Sequence, residues 1–149
     1  MHMQTLLSQA EAIRLLNMLK KAYEDSLTLP VSRKITTLQV QGDTKQDLFR
    51  INIYRGAINA QKFTFNGMIV KNDITLLRLE INKNGRHRNP DGNIITGSHW
   101  HQYCEGFDTQ FAFPATDIDG YDFVDTTLAF FEKFHVIDPP QLFDQMSLS

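Results

Sequence analysis

Residues 49–54 read Phe49-Arg50-Ile51-Asn52-Ile53-Tyr54, an unbroken alternation of apolar and polar side chains. Successive side chains of a strand point to opposite faces, so a period of two predicts a strand with one buried and one wet face. Two further stretches repeat the pattern. Phe63 and Phe65 alternate with Lys62, Thr64 and Asn66, and Leu77, Leu79 and Ile81 alternate with Arg78, Glu80 and Asn82. Thr36–Val40 predicts another strand. The breaks between runs, at Gly42-Asp43, Arg55-Gly56 and Lys71-Asn72-Asp73, are short and polar. Such gaps suit hairpins and predict an antiparallel meander. Two later strands are expected, Ser98–Glu105 and one holding Phe107, Thr109, Phe111 and Phe113 before Pro114.

Helical spacing flanks this block. Ser8 and Glu11 have the offset of a capping box, and Ala12, Leu15, Leu16, Leu19, Ala22 and Tyr23 follow at helical intervals. A helix is predicted over 9–25, stopping before Pro30. Near the other end, Phe123 or Val124, Leu128, Phe131 and His135 predict a second helix, closed by Asp138-Pro139-Pro140. His135 would then favour the negative end of the helix dipole. The last residues, 139–149, are expected to form a loose or swapped tail. The fold class is α+β: N-terminal helix, antiparallel meander sheet of five or six strands, C-terminal helix.

The chain has 149 residues, 42% of them hydrophobic. That length suits a single domain, 1–149, and that hydrophobic content excludes a disordered chain. No apolar run approaches the roughly 20 residues that span a bilayer, and Met1–Ala10 lacks the pattern of a signal peptide. The lone Cys104 excludes an internal disulfide and a Cys-based zinc cluster, and it reads as a small core residue beside Trp100. A soluble, cytoplasmic protein without a membrane partner is expected. The net charge of −2 divides unevenly: residues 1–101 carry 14 Lys/Arg and 8 Asp/Glu, residues 102–149 carry 1 and 9. The near-neutral total argues against a non-specific nucleic-acid coat protein. The acidic third, with Asp117, Asp119, Asp122 and Asp125, could pair within the fold or meet a basic partner.

Three of the five histidines, His87, His99 and His101, lie within fifteen positions. If Ser98–Glu105 is a strand, His99, His101, Tyr103 and Glu105 share one face, opposite Trp100 and Cys104. If strands 74–82 and 98–105 pair, the loop between them brings Arg86, His87 and Arg88 near His99. Two imidazoles can divide acid and base roles near neutral pH, and guanidinium groups hold phosphate by forked hydrogen bonds. These are the parts of a metal-independent ribonuclease with no cofactor. His99, His101, Tyr103 and Glu105 are its candidate catalytic residues. Arg86, His87 and Arg88 are its candidate phosphate-binding residues. Exposed Tyr54 and Tyr103 would suit base stacking.

Two alternatives use other features. His99-x-His101-x-x-x-Glu105 has the spacing of the first metal motif of cupin barrels, so His99, His101 and Glu105 could ligate a transition metal. No matching later half-motif supplies a third histidine. The other is a non-enzymatic inhibitor or immunity-type protein that binds a host or phage protein through its acidic surface.

The stretch Arg86-His87-Arg88-Asn89-Pro90-Asp91-Gly92-Asn93-Ile94-Ile95-Thr96-Gly97-Ser98-His99-Trp100-His101-Gln102-Tyr103, with Glu105-Gly106-Phe107-Asp108 and Ala112-Phe113-Pro114, resembles small bacterial and prophage proteins, some found near toxin–antitoxin loci. The resemblance covers residues 78–115. It implies a Firmicutes-type or phage context, a defence or counter-defence role, and an antitoxin, host or phage protein as possible partner. The order of helix then meander also looks like the fold of barnase-like and RelE-like ribonuclease toxins. RNA is the expected substrate.

Overall fold

A computed structural model of the chain describes residues 7–57, 61–118 and 122–146. It contains helices α1 (Gln9–Asn17) and α2 (Phe123–Lys133). Its strands are β1 (Lys21–Ala22), β2 (Ser26–Leu29), β3 (Ile35–Gln41), β4 (Leu48–Arg55), β5 (Phe63–Ile69), β6 (Thr75–Ile81), β7 (Arg86–Arg88), β8 (Ile94–Thr96), β9 (His99–Gln102), β10 (Ala112–Pro114) and β11 (Gln141–Asp144). Seven strands form one sheet in the order β1-β3-β4-β5-β6-β9-β10, and every pairing in it is antiparallel. The α+β class and the meander are therefore present, with more strands than expected.

The alternation sorts the sheet into two faces. Leu38, Val40, Phe49, Ile51, Ile53, Phe63, Phe65, Leu77, Leu79, Ile81 and Trp100 are buried in one core with the inner sides of both helices. Gly67 sits on this face because Phe134 lies against it: an added Cβ would come within 2.8 Å of the ring. The opposite face carries Thr37, Gln39, Arg50, Asn52, Tyr54, Thr64, Asn66, Arg78, Glu80, His99 and His101.

Several local expectations are corrected. α1 ends at Asn17, not near 25, because Met18 turns extended (φ −60°, ψ 133°) and the chain joins the sheet edge, pairing Lys21 with Gln41. Leu19 and Tyr23, expected on the helix's buried side, are exposed. Edge pairing here overrides helical spacing. At the same corner Lys20 is buried, and its ammonium donates to the carbonyls of Leu16, Met18 and Phe134, each at 2.9 Å. It also lies over the rings of Phe49 and Phe134. One cation thus caps the C-terminal ends of both helices. His135 joins it, its Nδ1 donating to the Leu16 carbonyl at 3.0 Å.

α2 buries Phe123, Thr126, Thr127, Phe130 and Phe131 and leaves Leu128 exposed, a rotation from the expected stripe. The expected strand over 107–113 shrinks to β10, because residues 104–110 form a turn closed by the Cys104–Asp108 bridge. Cys104 is half-buried there instead of lying in the core. The tail expected from 139 onward is not loose where described: β11 pairs in parallel with β2.

Candidate functional site

β6 and β9 pair with Glu80 opposite His99 and Arg78 opposite His101. All four side chains therefore leave the sheet on its polar face. The connection between these strands contains its own small hairpin, β7–β8, with His87 opposite Ile95. Its tip closes through a hydrogen bond from Gly92 N–H to the Asn89 carbonyl, with Gly92 at φ +93°, where a side chain would be strained.

The hairpin folds back over β9. The ring centroids of His87 and His101 lie 4.7 Å apart, those of His99 and His101 4.9 Å, and those of His87 and His99 5.8 Å. Asn89, itself buried, holds the hairpin there. Its amide donates to the Ala112 carbonyl at 2.9 Å and accepts from the Ala112 N–H at 2.7 Å, as a backbone partner on β10 would.

Each imidazole spends one nitrogen on a backbone carbonyl: His99 Nδ1 on Gly97 at 2.9 Å, His101 Nδ1 on Thr109 at 2.7 Å, and His87 Nε2 on Gln110 at 2.7 Å. A carbonyl only accepts, so those nitrogens carry hydrogen. In the neutral ring the other nitrogen, Nε2 of His99 and His101 and Nδ1 of His87, is then the acceptor. Burial pushes His101 down to about 4; the Thr109 carbonyl and Glu80 oppose the shift, and the neighbouring His99 and His87 add to it. At neutral pH His101 is an uncharged base. Burial pushes Glu80 up, but the Arg78 guanidinium, bonded to it at 2.5 and 2.9 Å, outweighs this with help from His99 and His101 and keeps it below the usual carboxylate range.

The resulting cleft, of about 340 Å³, is lined by Arg78, Glu80, Asn82, Gly85, Arg86, the three histidines and Thr109. The expected convergence of His87, His99, His101 and Arg86 is present. His99 and His101 are buried, not wet, because the hairpin and the 104–110 turn cover them. Arg88 is exposed on the hairpin and does not line the cleft.

Two candidates stand elsewhere. β9 ends at Gln102, so the alternation no longer governs Tyr103 and Glu105. Tyr103 is buried in the core and its hydroxyl donates to the Leu7 carbonyl at 2.6 Å. Glu105 accepts from the Gln9 N–H at 2.7 Å, at the start of α1. Neither can act beside the histidines, and the His99, His101, Glu105 metal set is not assembled. Among the described residues, no group of three or more His, Cys, Asp or Glu side chains is arranged to hold a metal ion.

Arg78, Glu80 and Asn89 are the site residues that sequence reasoning missed. The first two stood on the polar side of an alternating strand, and pairing that strand with 98–105 in register would have found them. Asn89 was hidden in a turn signature. The acidic third is largely used within the fold. Asp117 accepts from the Trp100 indole at 2.8 Å and pairs with Lys133, Asp122 caps α2, and Asp144 pairs with Arg55 at 2.7 Å. Asp119 lies outside the described residues. No helix among them is long and apolar enough to cross a membrane.

A family profile described as "Family of unknown function (DUF6978)" matches residues 7–136, so the chain belongs to that family. No curated protein and no solved structure matches the chain.

Proposed function

We propose that this member of the DUF6978 family binds RNA and cleaves it at the cleft of His87, His99 and His101, by general acid–base chemistry that needs no metal. The observation that supports this reading is the convergence of three imidazoles with Arg78 and Arg86 in one polar cleft. His101, neutral and anchored at Nδ1, takes the proton of the ribose 2′-hydroxyl at Nε2. The 2′-oxygen then bonds to phosphorus and the bond to the 5′-oxygen breaks. That oxygen receives a proton from His99 or His87, and the products are a 2′,3′-cyclic phosphate and a 5′-hydroxyl. Arg86, exposed at the rim, binds the phosphate as its charge builds. Arg78 fixes the Glu80 carboxylate beside the imidazoles. On this reading the protein would act as the toxin of a mobile element.

The test is incubation of purified protein with single-stranded RNA in excess chelator. Cleavage to cyclic-phosphate ends is expected, with a loss of about 10²- to 10⁴-fold in His99→Ala and in His101→Ala. Intact RNA after exposure to folded wild-type protein overturns the reading.

A further inference from the structure

The cleft is one end of a longer surface. Sheet register places Thr37, Asn52, Asn66, Arg78 and His101 directly across from one another, strand by strand from β3 to β9. A parallel row holds Tyr54, Thr64, Glu80 and His99. At about 4.8 Å per strand, the Asn52-to-His101 row spans roughly 14 Å. The hairpin stands over the histidine end.

The hydrogen bonding along this row is incomplete. Asn66 Oδ1 is buried without a donor, the lone such side-chain atom among the described residues. Its Nδ2 reaches only the Met68 sulfur, at 3.6 Å, and Asn52 Nδ2 reaches the same sulfur at 3.5 Å. Thioether sulfur is a weak acceptor, and buried polar atoms are ordinarily satisfied. Asn52 Oδ1 already accepts from the Thr37 hydroxyl at 2.7 Å. What the pair has to spare is the amide hydrogens held only by the Met68 sulfur and the enclosed Asn66 Oδ1, which a base edge meets once the flexible Met68 side chain turns aside. Tyr54 is exposed at the neighbouring position, open to stacking. Arg50 and Arg78 on this face are ion-paired with Asp73 and Glu80, and Arg86 and Arg88 on the hairpin beside it add two exposed cations.

We propose that this open face is the track for a single-stranded RNA, which lies across β4, β5 and β6 with its scissile phosphate in the histidine cleft. The proposal rests on the ribonuclease reading for the position of the phosphate. It assigns base contacts to Asn52 and Asn66, stacking to Tyr54 and a backbone contact to Arg50. A duplex cannot use the track, because its base edges are paired.

The experiment compares a dinucleotide, which fills only the cleft, with an eight-nucleotide single strand. The longer RNA is expected to show a kcat/KM on the order of tenfold higher, and Tyr54→Ser and Asn66→Ser are expected to erase that advantage while leaving dinucleotide cleavage unchanged. Fluorescence anisotropy with the labelled eight-nucleotide RNA and with its duplex reads binding independently of cleavage. Single-strand binding that Tyr54→Ser weakens about tenfold supports the track even if nothing is cut, an outcome that overturns the ribonuclease reading alone. Cleavage that is indifferent to length, equal binding of the duplex, or no binding of the single strand overturns the track.

Discussion

Replacing Asn89 by alanine should release the β7–β8 hairpin from the sheet. Asn89 is 7% exposed, and its amide supplies both hydrogen bonds to Ala112, at 2.7 and 2.9 Å. Alanine leaves the Ala112 N–H and C=O without partners at a buried position. An unmade buried hydrogen bond costs about 1–3 kcal/mol, so the pair is worth about 2–4 kcal/mol after the hairpin relaxes to admit water. The loss should be local, since the core on the other face of the sheet does not include Asn89. Hydrogen exchange at the Ala112 amide should accelerate by about 30- to 700-fold, at 1.4 kcal/mol for each factor of ten. His87 should also lose its contact with His101, now 4.7 Å between ring centroids, which cross-relaxation between the rings detects. Asn89→Asp separates the two bonds, because a carboxylate can accept from Ala112 N–H but cannot donate to its carbonyl. Facing the Ala112 carbonyl with a buried, unpaired charge, it should open the hairpin more than alanine does. Unchanged exchange at Ala112 in Asn89→Ala, with His87 still against His101, would refute the view that this amide holds the site closed.

The Lys20 ammonium is pushed by burial down to about 7 from its usual 10.5. Between those values the unfolded chain binds the extra proton, so unfolding free energy from denaturant titrations should rise with pH by up to about 1.4 kcal/mol per unit. Lys20→Met should remove that slope. His101, lowered to about 4, also binds its proton more readily when unfolded. Stability should therefore fall as pH drops from about 6.5 to 4, and its imidazole resonance should titrate near 4 by NMR. Glu105→Ala removes the acceptor of the Gln9 N–H and should cost about 1 kcal/mol in thermal unfolding. It should leave RNA cleavage unchanged; a catalytic loss like that of His99→Ala would return Glu105 to the site.

The alternating runs made the sheet and its two faces readable, because a strand with one buried face must place its apolar residues at every second position. The same rule brought His99 and His101 together and put Trp100 in the core. It fails at Tyr103 for a physical reason. The rule holds only while the ladder continues, and β9 leaves the sheet after Gln102, turning through Gly106 and Asp108 at positive φ. Nothing in the spacing of 98–105 marks that departure, because Tyr103 and Glu105 carry the polarity either side of the sheet would accept. α1 ends early for a comparable reason: Leu19, Ala22 and Tyr23 fit a helix, but the sheet edge offers backbone partners that a longer helix would leave unpaired. Both misreadings come from contacts distant in sequence. So do the site residues that were overlooked. Arg78 and Glu80 meet the histidines only through strand register, and Asn89 reaches β10 across 23 positions. The imidazole pair is thus a local consequence of alternation, while the groups that charge, close and extend the cleft depend on how the hairpin and neighbouring strands pair. Chemistry in such a site should be more sensitive to changes in register and hairpin closure than to conservative changes in the apolar residues beneath it.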